Sequence, residues 1–277
     1  MKIFLTGGTG FIGAHFINVA HAAGHEVISL RRSVCSRPPI QLDREPLWLD
    51  KELKYLEVLD LGTCDAIVHL ASAGVSPQKA TDSELIDINV SGIIHLMRCA
   101  CEASIPRIAV AGTFAEYGRS ADDHEVIPPM APLLPTYPYA ASKAAGFVVA
   151  HALAIELSLE FVYLRIFSAF GRGQHQANFW PSLEKAAREG GDFCMTKGEQ
   201  IRDFCAVELV AEKFLEAVIS PHVNPGVPLV QNVGSGSPTT LRKFAEKWWE
   251  KFGATGSIKF GALEYRPNEV MKFVPEL

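Results

Sequence analysis

At 277 residues, 48% of them apolar and 21% charged, the chain has the composition of a globular protein with a normal core, not of a disordered one. A net charge of −5 with no block of five like charges argues against nucleic acid or a membrane surface as a partner held by bulk electrostatics. No apolar run approaches the ~18 residues of a membrane span. Six cysteines without C-x-x-C or zinc spacing read as free thiols of a reducing compartment, so a cytoplasmic protein without a metal is expected.

Lys2–Thr6 is an apolar run that ends in glycines, the pattern of a buried parallel strand. Ala14–Ala23 has helical composition, Gly24 ends it, and Glu26–Leu30 reads as a second strand. Further strands are expected at Ala66–Leu70, Ile108–Ala111 and Phe161–Ile166, with helices at about 84–103 and 139–158 between them. This alternation predicts an α/β fold, a doubly wound parallel sheet with helices on both faces. Val126–Pro138 carries five prolines and is a loop. Beyond residue 170, helices at Asn178–Glu189, Val207–Val218 and Leu241–Phe252 and a strand at Leu229–Val233 are short pieces. They predict a small lobe of residues 171–277, interleaved with a main domain of residues 1–170.

The loop after the first strand is Gly7-Gly8-Thr9-Gly10-Phe11-Ile12-Gly13. It matches both G-x-G-x-x-G and G-x-x-G-x-x-G and opens a helix. Absent side chains allow a pyrophosphate close to the backbone, and the helix start supplies unpaired N–H groups. A dinucleotide is therefore expected over Gly7, Thr9, Gly10, Phe11, Ile12 and Gly13. An acidic residue at the end of the second strand would select NAD(H). Arg31-Arg32 stand there instead, so NADP(H) is favoured through pairing of arginine with a 2′-phosphate. NAD(H) stays possible, because the two arginines can equally be solvated surface residues.

Pro138-Tyr139-Ala140-Ala141-Ser142-Lys143 places a phenol and an amine at i, i+4 on one helix face. A cation beside a phenol favours the phenolate and makes Tyr139 a proton carrier suited to alcohol–ketone interconversion. Thr113 ends an apolar strand, which puts a hydroxyl at the carboxyl edge of the sheet, where ligands of such folds bind.

Taken together, the glycine loop, His69-Leu70-Ala71, Asn89-Val90-x-Gly92, Thr113 and the Tyr139/Lys143 pair resemble the extended short-chain dehydrogenase/reductases. That group is the NAD-dependent epimerase/dehydratase family, which acts on nucleotide-sugars. The resemblance runs from Met1 to about Glu269. It implies a Rossmann-like fold with a small C-terminal substrate-binding lobe, and a homodimer formed through the helices at 84–103 and 139–158. It implies that Thr113 hydrogen-bonds the reacting sugar oxygen, Tyr139 moves the proton, and Lys143 holds the nicotinamide ribose and tunes Tyr139. Leu70, Ala71 and Ser72 would line the cofactor, Phe167 in Arg165-Ile166-Phe167-Ser168 would lie beside the nicotinamide, and Asp50 (or Asp60) would meet adenine. Asn89 would be structural. Asn178, Arg202 of Arg202-Asp203-Phe204 and Arg266 of Arg266-Pro267-Asn268-Glu269 would bind the nucleotide diphosphate. Asn268 departs from the family, which has glycine there.

Two departures narrow the reaction. The family's 4,6-dehydratases have Asp-Glu directly after the strand-end Thr, where this chain has Phe114-Ala115. Its 3,5-epimerase/reductases have a Cys two residues after the catalytic hydroxyl, where this chain has Ala115. Glu116 reads as a turn residue and not as a base. What remains is hydride and proton transfer at one carbon, by a 4-ketoreductase or by a 4-epimerase with tightly held NAD. Thr113–Gly118 and the short C-terminus resemble reductases that make deoxysugars for bacterial surface polysaccharide, such as the CDP-abequose and CDP-paratose synthases. With Arg31-Arg32, this tips the expectation to the reductase. A non-catalytic dinucleotide sensor is disfavoured because Thr113, Tyr139 and Lys143 are all present.

Overall fold

The computed structural model describes residues 1–277. In chain order the first half contains β1 (Lys2–Thr6), α1 (Phe11–Ala22), β2 (Glu26–Arg31), β3 (Leu47–Asp50), α2 (Val58–Leu61), β4 (Ala66–His69), α3 (Asp82–Ile86), α4 (Gly92–Glu102), β5 (Arg107–Thr113), α5 (Pro138–Glu156) and β6 (Glu160–Ile166). The remainder contains β7 (Ala169–Phe170), α6 (Phe179–Arg188), β8 (Phe193–Met195), β9 (Ile201–Arg202), β10 (Cys205–Ala206), α7 (Val207–Ile219), β11 (Leu229–Val233), β12 (Thr239–Thr240), α8 (Leu241–Lys251), β13 (Ile258–Phe260) and β14 (Lys272–Phe273). No helix is long and apolar enough to cross a membrane.

Seven parallel strands form the main sheet in the order β11-β6-β5-β4-β1-β2-β3. The strands are apolar on both faces because both faces are covered. Ile3, Leu5, Val162 and Leu164 pack with Phe16 of α1 and Phe214 of α7. Phe4, Ile108, Val110 and Phe161 pack on the other side with Leu96 of α4 and Phe147 of α5. Strand side chains alternate between faces, so a residue run without polar gaps fills two cores at once.

Four features differ from the sequence expectations. First, the helix expected over 84–103 is interrupted by a π-helical turn at Asp87–Ser91, a type of distortion common at functional sites. Second, Leu47–Asp50 is an edge strand in register with β2, reached from β2 through a non-helical crossover. Third, β5 is longer than the run Ile108–Ala111, reaching from Arg107 to the strand-end Thr113, because it pairs with β6 from Arg107↔Glu160 to Thr113↔Ile166. Fourth, β11 and α7 belong to the main domain and not to the lobe. β11 pairs in parallel with β6 from Leu229↔Val162 to Val233↔Ile166, and α7 packs beside α1 against the sheet. Local pattern shows a strand but not its partner, so a boundary at residue 170 cuts through the sheet. The lobe itself is built from α6, α8 and the short strands β8, β9, β12, β13 and β14, around Leu183, Met195 and Ala245.

Candidate active site

The glycine loop bridges the ends of β1 and β4. Gly7 has φ +80°, and a Cβ there would stand 2.7 Å from the Ala71 nitrogen; a Cβ on Gly13 would stand 2.1 Å from the Gly7 carbonyl oxygen. The Gly10 N–H closes the turn onto the Gly7 oxygen at 2.9 Å. Gly10 is also the residue before α1 and brings no capping side chain, so the first-turn N–H groups of Phe11, Ile12 and Gly13 face outward without an intrahelical partner. That cradle, which side chains would fill, fits a dinucleotide pyrophosphate. Gly8 serves a different end, since a Cβ there would collide with Ser29 of β2 at 2.1 Å.

Beneath the loop, the Thr6 hydroxyl accepts from the Ala71 N–H at 3.2 Å and meets His69 Nδ1 at 2.8 Å. His69 is 2% exposed, and burial, followed by the nearby Lys143 ammonium, lowers it to about 3. It is neutral under physiological conditions.

The ribose end differs from the expectation. Arg31 and Asp50 end adjacent strands in register, and Arg31 Nε donates to Asp50 at 2.5 Å while the guanidinium lies 5.0 Å from the Trp48 ring. Arg31 and Asp50 thus pair with each other, as strand pairing brings them together, through Arg31 Nε and Nη2. Asp60 caps α2 and pairs with Lys51 at 2.6 Å. Arg32 is exposed and enters no ion pair.

At the carboxyl edge, Thr113, Tyr139 and Lys143 come together. Lys143 is buried, and its Nζ donates to the Ala111 carbonyl at 2.7 Å. Burial lowers its pKa, and Glu116 opposes the shift. Tyr139 is pushed well above the usual phenol range by burial, with Tyr137 and Glu116 adding to the shift and the hydroxyls of Ser72 and Thr113 opposing it. Burial is the largest influence on the Tyr139 phenol, and the Lys143 ammonium is bonded to Ala111.

Asn89 sits in the π-helical turn and ties the surrounding backbone together. Its Oδ1 accepts from the Ser72 hydroxyl and the Ala73 N–H, both at 2.9 Å, and its Nδ2 donates to Ser142 Oγ at 2.9 Å. Ser142 in turn donates to the Tyr139 carbonyl at 2.8 Å. The structural role expected of Asn89 is what the bonds describe. Leu70 continues β4, its N–H on the Thr6 carbonyl at 3.1 Å. Phe167 is 1% exposed and packs between Phe114 and Tyr117.

On the lobe, Asn178 begins α6 with its side chain unbonded. Arg202 is not free. Its Nη1 donates to the carbonyls of Ile201 and Met271, and its Nη2 to Glu269 at 2.8 Å and to Val270 O at 2.7 Å. It clamps the segment that presents Arg266, which is exposed and unpaired. Asn268, at the family's glycine position, has φ +60°, a conformation that asparagine tolerates better than most residues. Tyr137 stacks on Tyr139 at 6.2 Å, and burial raises its pKa while Arg266 opposes, so it stands between the catalytic phenol and the lobe. Asp203, 1% exposed, accepts from the N–H groups of Ser235 and Gly236 at 2.6 and 2.9 Å and fixes the loop after β11. Tyr137 was not singled out from sequence, and His69 and Asp203 were visible there only as members of the motifs His69-Leu70-Ala71 and Arg202-Asp203-Phe204, without a role of their own.

The family model for the NAD dependent epimerase/dehydratase family matches residues 3–234. UDP-glucose 4-epimerase of Lacticaseibacillus casei is 26% identical over 78% of this chain and 73% of its own length. CDP-abequose synthase of Salmonella typhimurium is 25% identical over 97% of this chain and 87% of its own length. The structure of MoeE5 in complex with UDP-glucose and NAD superposes with a TM-score of 0.85 at 25% identity, covering 100% of this chain and 90% of that one. A glycine cradle on the first strand, a Thr–Tyr–Lys cluster at the sheet edge and these likenesses agree, and the chain belongs to the NAD-dependent epimerase/dehydratase family.

Proposed function

We propose that this protein is an NAD(P)H-dependent reductase of a nucleotide-4-keto-6-deoxysugar in the making of bacterial surface polysaccharide. The observation that carries the reading is Thr113, Tyr139 and a buried Lys143 gathered at the sheet edge, with Phe114-Ala115 where a dehydratase needs carboxylates. A reduction needs a proton donor at the nascent alkoxide, whereas an oxidation needs a base first. Bound at the glycine cradle, the reduced nicotinamide would supply the hydride to C4. Thr113 donates a hydrogen bond to the C4 oxygen, Tyr139 gives that oxygen its proton, and Lys143 holds positive charge beneath them as the phenolate forms. Asn178 and Arg266 bind the nucleotide diphosphate, with Arg202 fixing the segment that carries Arg266.

NADP(H) as the preferred cofactor rests on Arg32 and on a cavity of about 320 Å³ beside the end of β2, lined by Arg31, Arg37, Pro38, Glu45 and Trp48. The engagement of Arg31 by Asp50 favours a second reading, a nucleotide-sugar 4-epimerase with tightly held NAD. Six unpaired cysteines are in keeping with a cytoplasmic setting. A homodimer through α4 and α5 is supported by exposed Val148 and Ile155 on α5.

The test is consumption of NADPH with a panel of nucleotide-4-keto-6-deoxysugars, with the product defined by mass and NMR. Tyr139→Phe should lose ~10²–10⁴ in rate and keep its affinity for the dinucleotide. Co-purified NAD⁺ with interconversion of 4-epimers and no net NADPH consumption would select the epimerase. Undiminished turnover by Tyr139→Phe would refute both.

A further inference from the structure

Glu116 is a carboxylate with 0% exposure, three residues past Thr113, and the proposed reaction gives it no role. Its bonds are fully accounted for. Oε1 accepts from the Thr113 N–H and from the Tyr163 hydroxyl, both at 2.8 Å, and Oε2 accepts from Arg165 Nε at 2.7 Å. Arg165 is itself 1% exposed, with its guanidinium 4.2 Å from the Phe147 ring centroid and 5.0 Å from that of Tyr117. Replacing a buried ion pair by apolar residues is often neutral or stabilising, so stability alone does not account for the pair. What an apolar pair could not supply is the bond to Thr113 and the fixed charge.

We infer that Glu116 is a positioning residue: its carboxylate pins Thr113 at the sheet edge and places a fixed negative charge beside the Tyr139–Lys143 pair. The inference rests on the roles given to those residues above. The turn Thr113–Glu116 is closed from both ends, since Thr113 Oγ1 accepts from the Ala115 N–H at 3.3 Å while Glu116 takes the Thr113 N–H. The Thr113 hydroxyl is thus oriented as an acceptor toward its own turn and keeps its proton for a substrate oxygen. Tyr163 carries the link onward, its hydroxyl lying 3.5 Å from the Lys143 carbonyl on α5.

The titratable and charged groups around Tyr139 are Tyr137 and Lys143 on its own helix and cap, Glu116 after β5, Tyr163 and Arg165 on β6, and His69 on β4. Among them Glu116 is the carboxylate that opposes the Tyr139 phenolate, after burial and Tyr137, and it also favours the charged form of Lys143. Both effects keep protons on the two groups that a reductase needs protonated.

The test is an ultraviolet titration of phenolate in the dinucleotide-saturated protein, with the Tyr139→Phe variant subtracted so that only Tyr139 is seen. In Glu116→Gln, which keeps the shape and an acceptor for the Thr113 N–H, Tyr139 phenolate should appear at a pH lower by about one unit or more. The alkaline limb of kcat for reduction should move the same way, and the dinucleotide Kd should not change. If the stranded Arg165 prevents folding of Glu116→Gln, the Glu116→Gln/Arg165→Met double variant is compared with Arg165→Met alone, which isolates the carboxylate, and Tyr139 phenolate should appear at the lower pH in the double variant. An unmoved Tyr139 titration in either comparison overturns the inference. Full turnover by Tyr139→Phe would instead remove the proposed reaction while leaving the titration result standing.

Discussion

Lowering the pH from 6.5 towards 4 loads a proton onto His69 in the unfolded chain but not in the folded one. The folded imidazole is held at about 3 against an ordinary 6.5, by burial first and by Lys143 second. A folded pKa below the unfolded one means that the unfolded state binds the extra proton throughout this window, so stability is complete above about 6.5 and falls as the pH drops. Each pH unit is worth about 1.4 kcal/mol, which makes the His69 contribution about 3 kcal/mol by pH 4, with little further loss below about 3. That is a large share of a typical 5–15 kcal/mol. His69→Asn keeps an acceptor for the Thr6 hydroxyl and removes the titration. Urea unfolding of both chains at pH 7, 6, 5 and 4 gives the difference directly. Carboxylates held low, such as Asp60 and Glu84, also cost stability in acid, but they cancel between the two chains. The wild type should lose about 3 kcal/mol more than the variant between pH 7 and 4. Parallel loss in both would show that His69 is not held neutral by its burial.

Gly13→Ala should fold but bind dinucleotide at least ~10-fold more weakly, because the new Cβ meets the Gly7 carbonyl at 2.1 Å. Calorimetric titration with NADPH and NADH checks it, and wild-type affinity would show that the cradle is not where the pyrophosphate lies. Asp203→Ala removes two charge-assisted bonds from the loop after β11 and should cost about 2–4 kcal/mol by urea unfolding. A loss under about 1 kcal/mol would mean that Ser235 and Gly236 find other acceptors.

The sequence by itself determined the βαβ start, the dinucleotide loop and the Thr113, Tyr139, Lys143 set, because each is written in local signals. Glycines stand at a strand–helix junction, a strand runs to its carboxyl end, and Tyr139 and Lys143 share a helix face at i, i+4. Asn89 and the position of Asn268 were legible through family resemblance. Tertiary structure alone decided which polar groups are already engaged. Arg31 looked free until β3 aligned Asp50 beside it, and Arg202 looked free until the chain returned sixty-odd residues later with Glu269 and Met271. It also decided that β11 completes the sheet and that Phe167 is enclosed by Phe114 and Tyr117. The physical reason is common to all of these. Pairing, burial and desolvation depend on what other strands and loops bring to a residue, and spacing along the chain does not encode those neighbours.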